Sequence, residues 1–250
     1  MSNYHIKHLE EYFQVYRKSV RDPESFWGEV AEEHFIWRKK WDNVLEWDFT
    51  KPEIKWFEGA KLNITENCID RHLRTRGDKT AIIFEPNDPK DPAEHITYRE
   101  LHERVCKFAN VLKDKGIGKG DRVCIYLPMI PELAISVLAC ARIGAIHSII
   151  FGGFSSESIA GRIKDCQSEF IVTADEGVRG NKIIPLKKIA DDALNKCPNV
   201  KKCVVIRRTG KKVNWVKGRD EYFDDIISSV DTYCQPVEMS AEDPLFILYT

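Results

Sequence analysis

The 250-residue sequence predicts an α/β fold: a doubly wound, mostly parallel sheet with flanking helices, preceded by a helical and irregular N-terminal arm. Three observations predict it. From residue 78 onward, short and nearly continuous apolar runs alternate with segments of helical period, the pattern of parallel βαβ units covered on both faces. Five of the six tryptophans (Trp27, Trp37, Trp41, Trp47 and Trp56) fall in residues 1–60, a stretch rich in charge and lacking β-branched runs. At this length a chain buries roughly 70–75% of its extended surface, enough for one large domain or two smaller ones. The expected division is an arm over residues 1–65 and a main domain over 66–250.

Each element has a local cause. In "RDPESFWGEV" Asp22 suits an N-cap and Pro23 the first helical position. The arm reads as one or two helices and irregular chain packed on a larger body, since tryptophan clusters mostly supply packing area. "TAIIFE" (80–85) reads as a strand. "TYRE" (97–100) is a capping box, after which Leu101, Val105, Phe108, Ala109 and Leu112 line one helical face. Lys113 and Lys115 complement the end of that helix, and Gly116 stops it. "RVCIYL" (122–127) is the next strand. Pro131 opens a helix whose residues 133–143 are apolar on nearly every side, hence buried, and Gly144 ends it. "AIHSIIF" (145–151) is a strand, 155–166 an amphipathic helix through Ile159, Ile163 and Cys166. "EFIVT" (169–173), "CVVIR" (203–207) and "LFILY" (245–249) complete the strands, the last expected to be buried. Helices near 185–196 and 220–230 separate them.

Composition narrows the function classes. Formal net charge is -1 with no block of like charge, which argues against nucleic-acid binding by bulk electrostatics. The eight cysteines form no CxxC pair and mostly sit in apolar segments, as free thiols of a reducing compartment do. "MSNYHIKHLEE" has no apolar core of a signal peptide, and "LAISVLACA" is too short to span a bilayer. A soluble cytoplasmic protein without membrane partners is expected.

Ligands of open parallel sheets bind beyond the carboxyl ends of strands, and two segments lie there. Gly152-Gly153, in "FGGFSSES", allow close backbone approach, and Ser155 suits the cap of the next helix; a tight turn without ligand explains them equally. Arg179 and Lys182 bracket Gly180-Asn181 in a loop where two cations could neutralise a phosphate, or could simply be solvated. "KGIGKGD" follows a helix and lacks the phosphate-loop frame, so it is a connection. His147 reads as a satisfied core histidine. Asp70, Arg71 and His72 suit local helix pairs. Cys68 and His72 are half of a metal site with no second half, so no metal is expected. No spacing supplies a nucleophile or general base.

Several segments carry a resemblance. "DPESFWGEVA", "WFEGAKLNITENCIDRHL", "DRVCIYLPMIPELAISVLACARIGAIHSIIFGGFS" and "DEGVRGNKIIPLKK" closely resemble the N-terminal part of the acetyl-coenzyme A synthetase family, acyl-adenylate-forming ligases of the luciferase-like superfamily. The resemblance implies ATP-dependent conversion of acetate to acetyl-adenylate, then transfer to coenzyme A (CoA), with acetate, ATP and CoA as small-molecule partners and Mg²⁺ offsetting phosphate charge. It implies a CoA site at Arg179, Gly180, Asn181 and Lys182, the family's "RGGR/RGGK" segment, which holds the nucleotide end and its 3′-phosphate. Asn181 replaces the usual small residue there, and Lys182 offers a point charge in place of a fork. Gly152 and Gly153 match glycines that let the pantetheine arm pass. In the family "YT" continues into a phosphate loop of the kind "TSGSTGKPKG". The sequence is therefore expected to be a fragment, about the first two-fifths of the enzyme, with no catalytic residue and no activity alone. The ATP loop, acetate pocket, metal ligand and adenylation lysine are expected beyond residue 250. A propionate- or acetoacetate-activating relative, and a binding domain built from half the fold, are the alternatives.

Overall fold

Buried parallel strands are the centre of the computed structural model, which describes residues 6–249. Residues 1–5, on which part of the sequence reading of the N-terminus falls, and Thr250 lie outside the described residues. The chain forms two compact units: one runs to Leu62 and adds Glu238–Asp243, and the other is Asn63–Val237 with the segment from Pro244 onward.

The first unit opens with α1 (Leu9–Arg21), capped by His8, whose Nδ1 accepts from the Glu11 N–H. α2 (Pro23–His34) starts as its sequence dictates, with Asp22 Oδ1 accepting from the Ser25 N–H at 3.1 Å and Pro23 at N1. The unit also contains β1 (Asn43–Asp48) and β2 (Glu53–Glu58), an antiparallel hairpin that corrects the expectation of irregular chain. Its register sets Leu45 against Trp56 and Trp47 against Ile54, so aromatic and branched pairs replace the β-branched runs that the sequence lacks. Asp48 Oδ1 accepts from the N–H and hydroxyl of Thr50 and so closes the turn. Trp37, Trp41 and Phe57 pack with ring centroids 5.1–5.5 Å apart. β3 (Lys61–Leu62) pairs with Met239–Ser240, and Glu242 accepts from the Trp56 N–H at 2.6 Å.

The second unit begins with a π-helical turn (Glu66–Asp70) running into α3 (Arg71–Arg76). β4 (Thr80–Phe84) pairs antiparallel with β5 (Glu94–Thr97), a strand the apolar pattern does not reveal. β4 thus stands in its own two-stranded sheet, outside the parallel array, and its Ile83 is exposed. α4 (Tyr98–Asp114) carries the full capping box: the Glu100 N–H donates to Thr97 Oγ1 while Glu100 accepts from the Thr97 N–H. Then follow β6 (Arg122–Leu127), α5 (Pro131–Ile143), β7 (Ile146–Phe151), α6 (Ser156–Cys166) and β8 (Phe170–Ala174). Gly144 closes α5 at φ +74, a left-handed stop that suits glycine. The short hairpin β9 (Gly177–Arg179) and β10 (Lys182–Ile184) precedes α7 (Leu186–Leu194), β11 (Lys202–Ile206), β12 (Asp220–Tyr222) and α8 (Phe223–Ile227). Met239–Ser240, in the first unit, is β13, and Phe246–Ile247, back in the second, is β14. β12 and a short α8 occupy the span where one helix was expected.

Among the described residues the main sheet has six strands, in the order β12-β11-β8-β6-β7-β14, every pairing parallel. The chain steps from β6 to β7 on one side, then crosses to place β8 on the other. The order therefore reverses at β6, the kind of position where open α/β sheets bind ligands. Val123–Leu127 and Phe170–Ala174 are fully or almost fully buried, each large side chain contributing roughly 1.5–3 kcal/mol. β14 departs from expectation. It has only two paired residues, at the sheet edge, and Leu245, Phe246 and Leu248 are 38%, 53% and 67% exposed. Among the described residues β14 pairs with β7 alone, and this apolar run is left partly exposed.

Asp70 also corrects the sequence reading. Its partner is distant: Arg142, fully buried on α5, donates to both Asp70 oxygens at 2.9 and 3.0 Å, to Thr65 Oγ1 at 3.2 Å and to the Cys234 carbonyl at 2.6 Å. His102 on α4 reaches the same carboxylate at 3.5 Å. Burial opposes ionisation of Asp70, but hydrogen bonds from His102 and Arg142 overcome it and hold the carboxyl at about 2. Hydrogen bonds to Asp70 and then Cys106 raise His102 to about 9 against its own desolvation.

Candidate functional site

The connections leaving β6, β7 and β8 spread apart at the strand-order reversal and leave an open cleft of about 400 Å³ in the second unit. Leu127, Pro128, Met129 and Ile130 wall it after β6, Phe151 and Gly152 after β7, and Gly177, Val178, Arg179 and Ile184 along the β9–β10 hairpin. Phe84, Glu85 and Asn87 come from the segment after β4, and Arg208 from the segment after β11.

Gly152 has a steric cause. A Cβ there would sit 3.0 Å from the Leu127 carbonyl oxygen and 3.4 Å from Pro128 Cα, so the β6 and β7 connections can touch only if this position lacks a side chain. Gly153 adopts φ +135, and its N–H donates to Tyr126 Oη at 3.3 Å; that hydroxyl in turn donates to the Phe154 carbonyl at 3.1 Å. Ser155 then caps α6, accepting from the Ser158 N–H.

The Arg179–Lys182 segment is a two-residue hairpin turn with a fixed register, not a flexible loop. Arg179 faces Lys182, Val178 faces Ile183 and Gly177 faces Ile184. Gly180 takes φ +57, and the Asn87 side chain clamps it: Oδ1 accepts from the Gly180 N–H at 2.8 Å and Nδ2 donates to its carbonyl at 3.0 Å. The Arg179 guanidinium lies 5.9 Å from the Phe151 ring centroid, and the Arg208 guanidinium 5.4 Å from that of Phe84. Among the described residues neither guanidinium has a carboxylate within 4.0 Å. Glu85 is the one acid on the lining, so the two arginines leave the cleft net positive.

A second carboxylate shapes the site from beneath. Asp175, 1% exposed, follows β8. It accepts from the backbone N–H groups of Glu176, Arg208, Thr209, Gly210 and Lys211 at 2.7–3.2 Å. The chain leaving β11 is thereby wrapped around one buried charge, and Arg208 is set on the cleft.

Of the residues singled out from the sequence, Gly152 and Arg179 line one cleft. Gly153, Gly180, Asn181 and Lys182 adjoin it without lining it, and Lys182 is exposed beside Arg179 in the register. Asn87, Phe84 and Arg208 were missed. Arg208 follows a parallel strand just as the β8 segment does, so the rule that drew attention to Arg179 would have reached it. Asn87 gives no such signal, since its partner is 93 positions away. Elsewhere, His147 is 5% exposed, but its Nδ1 has no partner, and burial pushes the ring down to about 4; it is a core histidine, though not a satisfied one. Among the described residues no group of three His, Cys, Asp or Glu side chains is placed to hold a metal ion. The cleft is thus suited to holding a ligand that joins apolar surface to anionic groups.

Residues 69–250 match the AMP-binding enzyme family, and residues 12–68 match the acetyl-coenzyme A synthetase N-terminus. Acetyl-coenzyme A synthetases of Alkalilimnicola ehrlichii and Halorhodospira halophila are 55% and 54% identical over 96% and 97% of this chain. The chain spans 37% of the length of each of these curated relatives. The solved acetoacetyl-CoA synthetase of Streptomyces lividans superposes with a TM-score of 0.84 at 26% identity, over 94% of this chain and 35% of that one.

Proposed function

Because the chain belongs to the AMP-binding enzyme family, with the acetyl-coenzyme A synthetase N-terminus preceding it, we propose that the protein carrying it is an acetate–CoA ligase. In the first step an acetate oxygen attacks the α-phosphorus of ATP, giving acetyl-adenylate and pyrophosphate. In the second, the CoA thiol attacks the acetyl carbon, the thioester forms, AMP leaves and the thiol proton is released. Identity of 55% to acetate-activating relatives, against 26% to the acetoacetate enzyme, favours acetate as the acid.

The part of this chain is to hold CoA. Arg179 takes the 3′-phosphate with its fork. The Gly180-Asn181 turn, clamped by Asn87, fixes where that fork stands, and Lys182 adds charge beside it. Gly152 and Gly153 let the pantetheine arm pass close to the backbone. ATP is the other nucleotide of the reaction. Mg²⁺ would neutralise its phosphates, and no role assigned to this segment runs through that ion. We place the reaction in the cytoplasm, a compartment that suits eight free thiols. Among the described residues no helix is long and apolar enough to cross a membrane.

One observation carries the reading: a guanidinium without a carboxylate partner, on the lining of an apolar cleft at the carboxyl ends of parallel strands. Its test is Arg179→Ala in the complete ligase. The KM for CoA should rise roughly tenfold, the loss expected for one charge-assisted contact, while acetate-dependent ATP–pyrophosphate exchange stays unchanged. Unaltered CoA kinetics would refute the site.

A further inference from the structure

The cleft has a second cation that the reading above leaves without a task. Arg208 leaves β11 on a segment separate from the β9–β10 hairpin, yet lines the same cavity as Arg179. Three features set it apart from a solvated surface arginine. Its guanidinium carbon lies over the Phe84 ring, 5.4 Å from the centroid. Its N–H edge donates to no described residue. Its backbone is immobilised, since the Arg208 N–H donates to Asp175 Oδ1 at 2.9 Å and the next three residues donate to the same buried carboxylate. An arginine set over an aromatic ring, anchored beneath and unpaired at its edge among the described residues is preorganised for an anion.

We propose that Arg208 is a second phosphate-binding residue of the cleft, taking the 5′-diphosphate of CoA while Arg179 takes the 3′-phosphate. This rests on the CoA reading of the site. The two guanidiniums then recognise a nucleotide phosphorylated at both ends of its ribose, and each reads one end. Phe84 and Phe151 hold the two forks from behind. Asp175 is a positioning residue, acting on the ligand only through the segment it organises.

The two roles separate with dephospho-CoA, which keeps the diphosphate and lacks the 3′-phosphate. The apparent KM for CoA and for dephospho-CoA is measured in the complete ligase for wild type, Arg179→Ala, Arg208→Ala and Arg208→Lys, with ATP–pyrophosphate exchange reporting on the folded enzyme. Arg208→Ala should raise both KM values by the same factor, roughly tenfold, and preserve the preference for CoA. Arg179→Ala should raise the KM for CoA alone and abolish that preference. Arg208→Lys, which keeps the charge without the fork, should lie between wild type and Arg208→Ala. If Arg208→Ala uses both thiols as wild type does, or if it erases the preference, the proposal fails while the CoA site stands. If Arg179→Ala leaves CoA kinetics and preference intact, the underlying reading fails.

Discussion

Arg142 illustrates what a single buried charge demands. It is fully buried, and four of its five N–H donors are taken by Asp70, Thr65 and the Cys234 carbonyl. Removing one partner of such a pair strands the other, a loss of about 3–5 kcal/mol. Asp70→Asn should therefore lower unfolding free energy by that order near pH 6, as urea melts would record. The effect has a pH window. Asp70, held at about 2, lends stability that is present above its ordinary 3.8 and lost as pH falls through 2. His102, raised to about 9, lends stability that is full below 6.5 and lost as pH rises through 9. The gap between wild type and Asp70→Asn should be widest at pH 4–6.5 and narrow above pH 9. A gap that does not change from pH 6 to pH 10 would show that the His102–Asp70 contact contributes nothing. None of this was legible in the sequence, where Asp70 has cations at the next helical positions and its true partner is 72 residues on.

Elements with a local cause were legible, and elements with a remote cause were not. Thr97 and Glu100 fix the start of α4, and Pro131 and Gly144 bracket α5 within neighbouring positions, so both helices stand where the sequence places them. β5, β12 and the β1–β2 hairpin were hidden because they are short or polar and are strands only by virtue of a partner. The site divides in the same way. Gly152 and Arg179 announce themselves by type and place, whereas Asn87 matters only through the backbone of Gly180. Asp175 is the extreme case: one carboxylate organises the whole segment leaving β11. Asp175→Ala should cost on the order of 3 kcal/mol, since several buried N–H groups lose a charged acceptor at once. It should also unfix the chain at 208–211, which hydrogen exchange at those amides would detect. Amides that stay as protected as in wild type would contradict that role.

Across the whole molecule the thiols follow burial. Seven of the eight cysteines are buried and none is in a disulfide, while Cys68 is exposed, with its thiol pushed up by partial burial. An aromatic disulfide reagent should thus titrate one thiol slowly in the native chain and all eight after denaturation; several fast native thiols would contradict this packing. The strand order carries a broader corollary. The walls of the cleft are rooted in different elements: the ends of β6, β7 and β11 in the parallel ladder, the β9–β10 hairpin, and the segment after β4. One wall can be exchanged between relatives while the hydrogen-bonded ladder below it survives. Substitutions in one wall can therefore alter what the cleft admits without touching the ladder below it.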